Sequence, residues 1–146
     1  MSAGLELVQT EEWLYSTLRN RAQLGSLVGG TADPRIYSHL APEGTVVPHV
    51  TILLLNASEE HGINGAARTM VADYLVQGIT QSHSMAGAGT IASEIDAALH
   101  AQSGTVVGLS VLECKRQSPV SEIELRDGVR YNHVGGTYRL HVANST

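Results

Sequence analysis

Residues 129–143 read Val-Arg-Tyr-Asn-His-Val-Gly-Gly-Thr-Tyr-Arg-Leu-His-Val-Ala. In an extended chain Val134, Tyr138, Leu140 and Val142 fall on one face, and Thr137, Arg139 and His141 on the other. A period of two with one apolar and one polar side marks a strand with one covered face and one wet face, as in an antiparallel sheet. Gly135-Gly136 inside the run predicts a bulge. Asp127-Gly128, just upstream, is a hairpin turn signal. It makes 120–126 the pairing strand, and Pro119 ahead of it places that strand at a sheet edge.

Working outward, a strand is expected over 105–116. Another is expected over 68–79, where Met70, Ala72, Tyr74 and Val76 alternate against Asp73 and Gln77. Residues 49–56 read as a strand whose second half is apolar on both sides. Ile52 and Leu54 face one way and Leu53 and Leu55 the other, so both sides need cover, from the core or from a neighbouring subunit. Residues 10–23 have helical spacing, with Thr10 as N-cap, Leu14, Leu18 and Ala22 as the apolar stripe, and Trp13 and Tyr15 widening it. Gly25, Gly29 and Gly30 break it. A second helix runs from a Thr90 cap to about Gln102, with Ile91, Ile95, Ala98 and Leu99 inward and Gly104 as its stop. Residues 57–67, with the Asn64-Gly65 turn signal, and 80–89 read as polar loops suited to partner contacts. The sum is an α+β fold over a single domain, 1–146: a largely antiparallel sheet of four to five strands with two helices packed on one face.

The formal net charge of −5 is the wrong sign for a protein that grips phosphates. One cysteine, Cys114, cannot build a disulfide framework or a multi-cysteine metal site. Met1 to Val8 lacks Lys and Arg and does not read as a secretion signal. No stretch approaches the about 18 apolar residues of a membrane span, so no membrane partner is expected.

Candidate chemistry is thin. The seven histidines, His39, His49, His61, His83, His100, His133 and His141, include no HExxH or HxH pair. His133 and His141 share a strand face but stand about 27 Å apart at strand rise. Surface histidines without a metal are expected. Glu59-Glu60-His61 puts carboxylates beside an imidazole, but on a loop beside Gly62 and Gly65, where general acid–base work lacks a rigid pocket. Cys114 alternates with Leu112 and Ser110 and reads as a small buried thiol. Gly87-Ala88-Gly89 precedes a helix but lacks the lysine or third glycine of a phosphate loop. No catalytic residue and no cofactor are expected.

Several motifs occur in a telling order: Leu14-Tyr15-Ser16-Thr17-Leu18, Leu27-Val28-Gly29-Gly30, Arg35-Ile36-Tyr37, Ala41-Pro42-Glu43-Gly44 and Pro48-His49-Val50. The chain then closes with Asp127-Gly128-Val129-Arg130-Tyr131 and Gly135-Gly136-Thr137-Tyr138-Arg139-Leu140-His141-Val142. From about Glu12 to Val142 this order resembles the tail terminator, or tail completion, proteins of long-tailed bacteriophages. The resemblance implies a structural virion protein of the tail and neck, put together in the host cytoplasm. It implies a homo-oligomer, a hexameric ring that caps the tail tube protein, stops its polymerisation and joins the tail to the head–tail connector. DNA would pass through the lumen without specific binding. The site would then be a set of interfaces: Glu59, Glu60, His61 and Asn64 of the first loop, His83 and Met85 of the second, and Leu53 and Leu55 of the two-faced strand. Two alternatives stand beside it: another phage neck or head-completion protein, and a small α+β enzyme or ligand-binding domain.

Overall fold

The computed structural model describes residues 3–39, 41, 45–61, 68–106 and 108–144. Helices α1 (Ala3–Arg19) and α2 (Ala22–Leu27) lead to a short strand, β1 (Ile36–Ser38). Then come β2 (His49–His61), β3 (Arg68–Gln81), α3 (Ala86–Leu99), β4 (Gln102–Val106), β5 (Leu109–Arg126) and β6 (Val129–Asn144). The strands form one six-stranded sheet in the order β1-β2-β3-β6-β5-β4. Among the described strands only β1 is parallel to its neighbour.

The α+β class expected from the sequence holds, but the described residues give six strands and three helices rather than four to five and two. Each difference has a local cause. The helix expected over 10–23 begins at Ala3, and its stripe is Leu7, Thr10, Leu14 and Leu18. Thr10 is therefore buried inside the helix rather than capping it. Ala22 opens α2, a single further turn that buries Leu24 and Gly25 where a glycine break was expected. Helix α3 starts four residues before Thr90, whose hydroxyl donates to the Ala86 carbonyl. Gly104, expected to stop that helix, lies in β4, where the Trp13 ring would meet any Cβ. The strand expected over 105–116 is two strands, and β5 continues unbroken through Pro119. Pro119 is nonetheless on an edge, because β4 pairs only with Leu109–Cys114.

Two loop expectations also shrink. Ala57–His61 is not loop but the end of β2, paired with Arg68–Ala72. A β-bulge at Leu55 shifts the register there, so the polar run follows the ladder rather than leaving it. Gly62 to Ala67, with Asn64, lie outside the described residues. The loop expected over 80–89 reduces to 82–85. The bulge expected at Gly135-Gly136 is on the partner strand instead, between Arg116 and Ser118. The glycines answer to crowding: a Cβ on Gly135 would collide with the Val76 carbonyl, and one on Gly136 would meet the Arg116 side chain at 2.9 Å. The Asp127-Gly128 hairpin is as expected, with both residues at positive φ, 52° and 77°.

The helices cover one face of the sheet. Ile52, Tyr74, Val76, Tyr138, Leu140 and Val142 from the strands meet Trp13, Leu14, Leu18, Ile91, Ile95 and Leu99 from the helices. Each fully buried aliphatic side chain contributes about 1.5–3 kcal/mol. Gly78 lets α3 sit directly on β3, since a Cβ there would strike Ile91. No described helix packs on the opposite face, where Arg139 holds Asp73 through two bonds of 2.9 and 3.2 Å.

Candidate interaction surfaces

The sheet has two ends. One carries the β5–β6 hairpin, the start of β2 and the end of β3. At the other, β2 ends and β3 begins. The expected interface residues divide between them. Glu59 and Glu60 are exposed near the end of β2, and His61 is its last residue. His83, exposed, and Met85, half-buried, lie at the hairpin end in the bend between β3 and α3. The 14 residues of β3 between them span roughly 45 Å. Leu53 is half-buried on the helix-free face, and Leu55, at the bulge, is 51% exposed. Asn64 lies outside the described residues. The structure thus brings together His83 with Met85, and Glu59 with Glu60, but not one set with the other.

The 82–85 bend is built from its own serines and one strand residue. Ser82 Oγ accepts the Ser84 N–H and Ser84 Oγ accepts the Ala86 N–H, at 3.2 and 3.1 Å. Asn132, fully buried on the covered face of β6, donates to the carbonyls of Ser82 and Ser84 at 3.0 and 3.1 Å. Sequence reasoning missed Asn132. Its signal was an amide on the same strand face as Val134, Tyr138 and Leu140.

The helix-free face holds a cleft of about 470 Å³ at the hairpin end. Strand register sets His49, Ile79 and His133 side by side across three strands. His133 is bonded through both ring nitrogens: Nδ1 lies 3.3 Å from the Gln77 amide and Nε2 3.2 Å from Glu124 Oε1. Arg126 also donates to that carboxylate oxygen at 2.8 Å and lies 5.0 Å over the Tyr131 ring. The His133 bond and Arg126 hold the Glu124 carboxyl below its usual range. His49 packs edge-on to Tyr37, with ring centroids 5.8 Å apart, and its Nδ1 lies 3.3 Å from the Val46 carbonyl oxygen. Burial lowers the His49 pKa, and the nearby His133 and Arg35 push the same way against the Val46 bond. The sequence reading makes these surface histidines, whereas His49 is buried and His133 half-buried. Only the register puts them in one cleft.

These groups brace the fold. His133 is held at both ring nitrogens by Gln77 and Glu124, side chains of the sheet itself. Arg35 donates to the Pro48 carbonyl at 3.0 Å, which ties β1 to the start of β2 and gives the Arg35-Ile36-Tyr37 motif a structural role. Cys114 is buried on the covered face, and burial pushes its thiol up to about 12, where it is an inert neutral group. Among the described residues no three His, Cys, Asp or Glu side chains converge to hold a metal ion. Large aliphatic side chains remain in water instead, at Leu55, Leu112, Ile123 and Leu125. The fold is an α+β subunit whose described polar groups at this cleft serve its own frame.

The family model for tail completion protein gp17 matches residues 12–140. The chain belongs to this family of bacteriophage structural tail proteins, which is not a family of enzymes. Among solved structures, its fold is similar to that of a chain in the virion of a native gene transfer agent particle. The TM-score is 0.69 over 90% of this chain and 92% of that one, at 18% identity. No curated protein matches the sequence.

Proposed function

We propose that this protein closes the completed tail tube as a hexameric ring and joins the tail to the head–tail connector. The observation that carries the reading is the tail completion family match across residues 12–140. A joining subunit must touch tube protein on one side and the connector on the other. The candidate contacts lie at the two ends of the sheet, with Glu59, Glu60 and His61 at one and His83 and Met85 at the other. Asn64 joins the first set by its place in the sequence. Leu53 and Leu55 are assigned to contacts between copies. A net charge of −5 suits a ring through which DNA slides without being held. The protein would act in the host cytoplasm as tails are finished and stay in the virion.

The test is a phage lacking the protein, complemented with wild type or with Glu59→Lys/Glu60→Lys. Loss is expected to give tails without heads or tails beyond normal length, and the double variant is expected to rescue poorly. Normal tails paired with heads that lose their DNA would instead make it a head-completion protein. Fully infectious particles without the protein would end the reading.

A further inference from the structure

Both edges of the sheet are half covered, and at opposite ends. β1 pairs with β2 only at Val50–Ile52, so among the described residues no strand pairs with the outer edge of Leu53–His61. β4 pairs with β5 only as far as Cys114, and the Arg116 N–H is taken by His100 Nδ1 at 3.1 Å. Beyond Arg116, no described strand pairs with the outer edge of β5. Open edges carrying aliphatic side chains are surfaces that proteins normally blunt or cover. Here Leu55 is 51% exposed on one edge, and Ile123 and Leu125 are 50% and 75% exposed on the other.

We propose that these two edges pair with each other in neighbouring copies of the chain, so that the sheet runs on from subunit to subunit around the ring. The inference rests on the ring reading and says what joins its members. Three observations favour a second copy as the occupant. The first is polarity. From β2 through β3 and β6 to β5 the chain reverses at every step, so β2 and β5 run in opposite directions. Copies related by rotation about one axis keep their orientation, so the β5 edge of one meets the β2 edge of the next antiparallel. Such a head-to-tail contact is the kind that closes into a ring.

The second is side-chain match. Laying Leu53–His61 against the free stretch of β5, antiparallel and end to end, brings the apolar Leu53–Leu55 run beside Ile123 and Leu125, with Leu54 on the same helix-covered face as Ile123. The same alignment puts the acidic end, Glu59-Glu60, toward Lys115-Arg116. The apolar ends fall together and the acidic end points toward the basic pair in the one direction that polarity allows. The third is shape. β4 bounds the free stretch of β5 at one end, and the neighbour's β1 would bound the joint at the other, which fixes the register.

The test uses Asn56→Cys/Glu122→Cys. Both positions are exposed, and they would lie across the joint on the helix-free face. Cys114 is buried and leaves no background. With a short bismaleimide, the double variant assembled on tails is expected to give a ladder of covalent multimers ending at the closed ring. Each single variant should give none. Ser121→Pro supplies a second readout. Pro119 can stand opposite Gly136 only with its ring nitrogen turned to the open side, and residue 121 shares that orientation. The variant should fold with a melting temperature near wild type yet lose the ring. A ring seen by native mass spectrometry with no ladder, or kept intact by Ser121→Pro, overturns the edge joint while the ring reading stands. Only monomers on assembled tails overturn both.

Discussion

Tyr74 and Tyr138 stand opposite each other on β3 and β6, 0% and 1% exposed, and differ in one respect. The Tyr138 hydroxyl donates to Asp96 Oδ1 at 3.0 Å, whereas among the described residues the Tyr74 hydroxyl has no hydrogen-bond partner. Burial raises both phenols well above the ordinary tyrosine range, so both stay neutral at working pH. Tyr138→Phe deletes a bond to a carboxylate, worth about 1.5–3 kcal/mol. Asp96 is 30% exposed and keeps Arg116 at 3.6 Å, so the low end applies, about 1.5 kcal/mol. Tyr74→Phe removes a buried group whose desolvation is not repaid, and should stabilise by about 1 kcal/mol. The gap of about 2.5 kcal/mol corresponds to urea midpoints roughly 1–2 M apart at equal slope. Urea unfolding followed by circular dichroism measures it. If Tyr74→Phe loses as much stability as Tyr138→Phe, the account of the paired tyrosines is wrong.

Three further outcomes follow from the same geometry. Asn132→Ala strips donors from the Ser82 and Ser84 carbonyls. It should cost about 2–3 kcal/mol and open the 82–85 bend to limited proteolysis. The His49 pKa is lowered in the folded protein, so its contribution is fully present above the unfolded pKa near 6.5. As pH falls below that value, the unfolded chain takes up a proton that the folded chain resists, and stability drops. Melting scans from pH 8 to pH 5 should show this slope, and His49→Gln should flatten it. Cys114 should not react with a thiol reagent in the native protein and should react fully in urea, since its thiol is buried with a pKa of about 12.

The alternation in β6 and β3 was legible because each strand has one covered face, and side-chain period then follows strand period. Tyr138, Leu140 and Val142 are buried as the pattern required. The end of β2 was not legible. Ser58, Glu59 and Glu60 lie on an edge strand past a bulge, all three exposed, where polar residues cost little. Short elements such as β1 and α2 exist through tertiary support: β1 through its ladder to β2, and α2 through burial of Leu24. The division of interface candidates between two sheet ends could not be read from spacing. Neither could the cleft, because His49, Glu124 and His133 become neighbours only through register.

The central claim is a ring of this chain between tail tube and head. Cryo-electron microscopy of intact particles tests it most directly. The account expects a six-fold ring of this α+β fold seated on the last ring of tube protein, with one sheet end toward the tube and the other toward the connector. Finding the fold in the head shell, along the tail shaft, or as a single copy at the neck would contradict it.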